Sequence, residues 1–162
     1  MTNSGTIEAT GAGGLQLVGS VVNNGLILAQ GSSVTIGGDV SGSGHVELAG
    51  NATVEFAAGA ANDLALDADA AGLIVFDHSA GFGGAISGLN ADDRIDLRDV
   101  AFGAATTLSY VDDGSGGGVL TVSDGIHSAQ LRLVGSYQAS DFVLGADDQG
   151  GLLLTNHAGQ LI

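Results

Sequence analysis

Residues 25–56 read GLILAQGSSVTIGGDVSGSGHVELAGNATVEF, and the segment says nearly the same thing twice. Leu26-Ile27-Leu28 returns as Val46-Glu47-Leu48, and Val34-Thr35-Ile36 returns as Val54-Glu55-Phe56, each 20 residues on. Each half holds two apolar-x-apolar triplets separated by Gly, Ser, Asn and Ala. An alternation confined to three or four positions is too short for a helix face and suits a strand with one buried side. A fixed period near 20 built from such strands is the signature of a coil of stacked rungs.

The register extends backwards through Thr6-Ile7-Glu8 and Leu15-Gln16-Leu17, while Val21 and Val40 mark a third strand in each rung. Gly5, Gly25 and Gly44 open successive turns, where a residue without Cβ eases a tight corner. The sequence therefore predicts an all-β fold, a parallel β-helix (β-solenoid) of about five rungs over residues 1–104. Three rungs run Gly5–Asn24, Gly25–Ser43 and Gly44–Asp63. A fourth carries Leu64-Ala65-Leu66 and Leu73-Ile74-Val75-Phe76, and a fifth Ala85-Ile86-Ser87 and Ile95-Asp96-Leu97. Ile7, Leu15, Leu17, Leu26, Leu28, Val34, Ile36, Val46, Leu48, Val54 and Phe56 are expected inside, with Glu8, Gln16, Thr35, Glu47 and Glu55 facing solvent.

From about Thr106 the pattern changes to longer apolar strands joined by DDGSGGG, SDG and ADDQGG, which read as antiparallel hairpins. Residues 105–155 are expected to form a C-terminal antiparallel β cap, since an open solenoid end exposes unpaired backbone. The competing reading is that the coil continues with longer corner loops. Residues 156–162 are expected to be a tail.

Glycine is abundant, 29 of 162 residues, but regularly spaced apolar triplets argue against disorder. The formal charge of −15, with three Arg as the only Lys or Arg residues, repels phosphate backbones and anionic lipid. Nucleic-acid partners and membrane insertion are accordingly not expected. The absence of Cys excludes a disulfide framework and thiolate chemistry. The first ten residues lack the basic and apolar regions of a signal peptide, and the repeat is in phase by Gly5, as in an excerpt from a longer array.

Residues 5–63, with Val22-Asn23-Asn24-Gly25 and Ser41-Gly42-Ser43-Gly44 between short strands, resemble the Gly-rich passenger repeats of bacterial autotransporter-like adhesins. Residues 86–144 resemble the tail that closes the repeat region of RTX-like, type I-secreted proteins. The matching pieces are Ile86-Ser87-Gly88-Leu89, Asp92-Asp93-Arg94-Ile95-Asp96-Leu97, Leu131-Arg132-Leu133-Val134-Gly135 and Ser140-Asp141-Phe142-Val143. The resemblance implies a large secreted protein, extracellular or on the bacterial cell surface, and no particular chemistry. The calcium-binding nonapeptide GGxGxDxUx is absent, so a calcium β-roll is not expected.

Chemistry-bearing candidates are few. Asp92, Asp93, Asp96 and Asp99 form the densest acidic group and could supply hard oxygen ligands to Ca²⁺, which needs six to eight of them. The plainer reading is a polar corner followed by a strand with Ile95 and Leu97 inside and Arg94, Asp96 and Arg98 outside. Asp112-Asp113 and Asp147-Asp148 read as turn residues. Asp63, Asp67 and Asp69 form a third acidic group, with no Lys, and with Arg94 and Arg98 more than a rung away. His45, His78, His127 and His157 are scattered, and Asp77-His78-Ser79 are direct neighbours that cannot assemble a triad. Tyr110, Tyr137, Phe82, Phe102 and Phe142 are expected mostly under the cap.

Three classes of function fit. The first is a non-catalytic structural or adhesive module whose partners are a second copy, through the open N-terminal rung, or a host or matrix polysaccharide or protein. The others are a carbohydrate-active β-helix of the lyase or epimerase type, and a Ca-binding RTX-type secretion module. No cofactor is expected, with calcium the one candidate.

Overall fold

Short strands that each bury one face have to recruit neighbours, and in this chain the recruits are the same positions one turn later. The computed structural model describes residues 1–68 and 71–157. Successive turns stack as a β-solenoid, laying strands in up to three sheets. The first turn holds β1 (Thr2–Asn3), β2 (Thr6–Ala9) and β3 (Leu15–Leu17). The second holds β4 (Val21–Asn23), β5 (Leu26–Gln30) and β6 (Ser33–Ile36). The third holds β7 (Val40–Ser41), β8 (His45–Ala49) and β9 (Thr53–Phe56). In the fourth, β10 (Asp63–Leu66) and β11 (Leu73–Phe76) follow a single bridge at Ala60. In the fifth, β12 (Ala85–Ser87) and β13 (Arg94–Leu97) follow a bridge at Phe82. The third strand per rung expected at Val21 and Val40 is present, as β4 and β7.

Side chains at equivalent positions form continuous inner columns. In one sheet Ile7, Ile27, Val46, Leu64 and Ile86 stack in register. In the facing sheet Leu15, Val34, Val54, Ile74 and Ile95 do the same, beside Leu17, Ile36, Phe56, Phe76 and Leu97. The rings of Phe56 and Phe76 stack at 5.6 Å between centroids, and Phe82 packs on Phe76 at 4.8 Å. Each fully buried side chain of this size stabilises the fold by about 1.5–3 kcal/mol.

One part of the expected interior is corrected. Leu26 and Leu28 are only half-buried on the outer face, and Ile27 and Ala29 are the buried residues of β5. The step between β5 and β8 is 19 residues, with Ile27 opposite Val46 and Leu28 opposite Glu47. Because side chains alternate along a strand, a one-residue slip exchanges the whole inner and outer sets. Gly5, Gly25 and Gly44 do stack, since Leu26 donates to the Gly5 carbonyl and His45 to that of Gly25. A Cβ on Gly25 would collide with the Gly5 carbonyl oxygen.

A polar column runs beside the apolar ones. The Asn3 amide donates to Asn23 Oδ1 at 2.8 Å, and Asn23 Nδ2 donates to Asn62 Oδ1 at 2.9 Å, all three residues being buried. The third turn contributes no amide of its own. Gly42 (φ 99°) leaves that space open, and Asn62 Nδ2 donates to its carbonyl. Any Cβ at Gly42 would press on the Asn23 carbonyl.

The C-terminal region is antiparallel as expected, and it also extends the coil. β14 (Thr107–Asp112), β15 (Gly117–Ser123) and β16 (Ser128–Val134) form a meander. Within it β16 lies parallel on β12, with Leu133 opposite Ile86, like one more rung. β17 (Phe142–Ala146) and β18 (Leu152–Asn156) form a hairpin that docks antiparallel on β13, with Leu152 opposite Leu97. Leu120, Leu131, Leu133, Leu152 and Leu154 join one hydrophobic cluster with the coil interior. Residues 1–6 lie in the first turn, paired with the second, and do not fold across the end.

Candidate functional site

The four aspartates expected as a cation set are not brought together. Asp93 is buried, and its carboxylate accepts the Gly72 N–H at 2.7 Å and the Asn90 N–H at 2.8 Å. Burial lifts its pKa above the usual aspartate value against the pull of those two donors. Asp99 accepts the Ser79 N–H at 2.9 Å, and Asp92 is exposed beside the Asn90 turn. Asp96 lies on the outer face of β13. Among the described residues, no group of three or more His, Asp or Glu converges as a metal site. Backbone N–H groups occupy both oxygens of Asp93 and one of Asp99.

Asp96 was expected in solvent and instead lies 8% exposed. The turn between β17 and β18 covers it, and a small cleft of about 200 Å³ remains between them, lined by Arg94, Asp96, Asp147, Asp148, Gln149 and Leu153 among others. Arg98 completes the seam. Its Nη1 donates to Glu55 at 2.8 Å and to Asp77 at 2.9 Å, reaching across two coil turns, while its Nε lies 3.8 Å from Asp96. Burial opposes charge on Arg98, but the two carboxylate bonds outweigh it and hold the guanidinium above its ordinary pKa. Burial and the charge of Asp147 push Asp96 up to about 6, with Arg98 pulling the other way. Burial would raise Asp147 too, yet the N–H groups of Gln149 and Gly151, at 2.7 and 2.6 Å, hold it below the usual value.

The other acidic pairs act as turn formers, as their sequence context implied. Asp113 Oδ1 accepts from Ser115 and Gly117, and Asp112 from Gly114. Asp124 Oδ1 accepts the N–H groups of Ile126 and His127 while Oδ2 accepts that of Ala101, which places its pKa far below the ordinary range. Asp63 caps Ala85, Asp67 is exposed, and Asp69 lies outside the described residues. The four His are exposed and dispersed. Asp77, His78 and Ser79 turn to different partners: Arg98, the Ala57 carbonyl and, for the Ser79 N–H, Asp99. Tyr110, Tyr137 and Phe142 cluster under the cap with centroids 5.7–6.4 Å apart, whereas Phe82 belongs to the coil and Phe102 is 45% exposed.

Sequence reasoning missed the Asn3–Asn23–Asn62 column and the reach of Arg98. The first had a signal in Asn3 and Asn23 standing 20 apart, in step with the glycines. The second had none, because Glu55, Asp77 and Arg98 meet only once the rung spacing is fixed.

The class that this architecture defines is a parallel β-solenoid closed by antiparallel strands at one end. No protein-family model, curated protein or solved structure matches the chain.

Proposed function

We propose that the chain is a non-catalytic structural and adhesive module of a large secreted bacterial surface protein, working as a stalk or binding surface outside the cell or on its surface. One observation carries the reading. β1, β2 and β3 are the terminal strands of all three sheets, so one end of the coil presents a whole rung of strand edges. Ile7 and Leu15 are half-buried there, whereas their stacked counterparts Ile27 and Val34 are fully buried. Open strand edges with apolar side chains behind them are a template for another rung, whether a further turn of the parent protein or a second copy of the chain. The opposite end is shaped differently by its hairpins, so pairing of two N-terminal faces closes a dimer whereas head-to-tail stacking stays open-ended.

The −15 charge opposes either contact, most strongly where salt is low. Sedimentation at low and high salt is expected to show weak, salt-promoted association, and a strict monomer in both conditions overturns it. The lateral faces remain for host or matrix polysaccharide or protein. Incubation with uronate-containing polysaccharides is expected to leave them unchanged, and unsaturated or epimerised products would replace this reading with a catalytic one.

A further inference from the structure

We infer that Asp96 and Asp147 form one proton-binding site that latches the β17–β18 hairpin to the last parallel rung, closed while the pair holds a proton and loosened when both carboxyls are ionised.

The geometry leaves one buried oxygen on each carboxyl without a donor, in a cleft that both residues line. Asp147 Oδ1 is committed to the N–H groups of Gln149 and Gly151, which fixes the carboxyl on the turn. Asp96 Oδ2 faces Arg98 Nε at 3.8 Å. The remaining atoms, Asp96 Oδ1 and Asp147 Oδ2, are both buried and lack a hydrogen-bond partner. The two side chains lie within hydrogen-bonding reach of each other. Two carboxylates so placed repel, and a single proton turns that repulsion into a short charge-assisted hydrogen bond.

The surroundings favour a proton over a metal ion. On its own segment Asp96 has Arg94, which shares the cleft, and Arg98. The neighbouring strands bring Asp77 from the fourth turn and Glu55 from the third, and both are already bonded to Arg98. The covering turn brings Asp147 and Asp148, while β18 places Leu153 opposite Asp96. A hard divalent cation needs six to eight oxygens. Here two carboxyls converge beside two guanidinium groups, and one added positive charge suits the site better than two.

The titration agrees in sign. Asp96 is raised from 3.8 to about 6 in the folded protein. A carboxyl raised by folding binds its proton more tightly in the native state. Its contribution is therefore fully present below the unfolded value and is lost as pH rises through the folded one. The proton belongs to the pair, with Asp147 the member that stays ionised. Mild acid thus tightens the capped end of the solenoid, and neutral pH loosens it.

Thermal melting of the full chain from pH 4.5 to 7.5, with amide exchange of β17 and β18 followed in parallel, tests the latch. The wild-type midpoint is expected to fall by several degrees across this range while exchange in the hairpin quickens. Asp96→Asn keeps the shape and donates to Asp147 at every pH, so it should abolish that part of the fall and melt above wild type at pH 7.5. Comparing the two proteins cancels whatever the rest of the chain contributes to the pH profile. The Asp96 carboxyl carbon, followed by NMR, should titrate near 6. An ordinary aspartate midpoint, or identical pH profiles for wild type and Asp96→Asn, would overturn the latch. So would millimolar calcium raising the wild-type midpoint at pH 7.5 and leaving Asp96→Asn unmoved, because a cation would then hold the pair.

Discussion

The coil and the C-terminal strands share two sheets and one apolar interior, yet they are specified differently. In the coil every strand pairs in parallel with residues about 20 positions away, and no strand is completed by its sequence neighbour. In the C-terminal region β14, β15 and β16 pair antiparallel across short turns, and those turns are held by Asp113 and Asp124. The coil therefore depends on accurate stacking of distant columns, whereas the hairpins carry their register in local turn chemistry. A substitution in a coil column should be felt by the rungs on both sides. One in a hairpin turn should remain local.

The largest test of that contrast lies in β5. Ile27→Ala, inside the column, is expected to destabilise by about 2–5 kcal/mol in chemical denaturation. Leu28→Ala, one residue away on the outer face, should cost under about 1 kcal/mol. Equal effects would mean that the 19-residue step between β5 and β8 is wrong. Next comes Asn23→Ala, which strips partners from Asn3, Asn62 and the Gly25 N–H. Unsatisfied buried polar groups cost about 1–3 kcal/mol, and amide exchange should rise in both flanking turns rather than one.

Arg98→Met keeps much of the stem and removes the charge shared with Glu55 and Asp77. With the pair atoms only partly shielded, a loss near 1 kcal/mol is expected, shrinking as salt is added. A loss that ignores salt would point to packing instead. Smaller still is Asp124→Asn in the hairpin turn, read as a modest drop in melting midpoint at pH 7. The carboxylate's lowered pKa stabilises the fold above the unfolded value of 3.8 and is lost as pH falls towards the folded one. The advantage of wild type over this variant should therefore shrink in acid, whereas wild type gains on Asp96→Asn as pH falls. At the bottom of the scale, EGTA and millimolar calcium should give the same melting midpoint at neutral pH.

The coil was readable because it repeats. Val34 and Val54, or Gly25 and Gly44, report the period without any knowledge of contacts, and the number of turns follows. The error at Leu26 and Leu28 arose where β5 offers three adjacent apolar residues. LIL satisfies the alternation in either phase, and the glycine step of 19 was the better guide. The Asp-Gly turns of the C-terminal region were equally legible, since the side chain that makes the turn sits inside it.

The sequence alone determined the period, the strand positions, the glycine corners and the hairpins, because all of these are set by residues within one turn of each other. Only the tertiary structure decided that β16 continues the coil and that Arg98 spans two rungs. It also decided that Asp96 is covered and faces Asp147, 51 residues further along the chain. The physical reason is that these outcomes depend on which turn settles over which face. Burial then sets the charge: an aspartate that alternation alone would place in water loses its solvent to a turn folded from another part of the chain, and its proton follows.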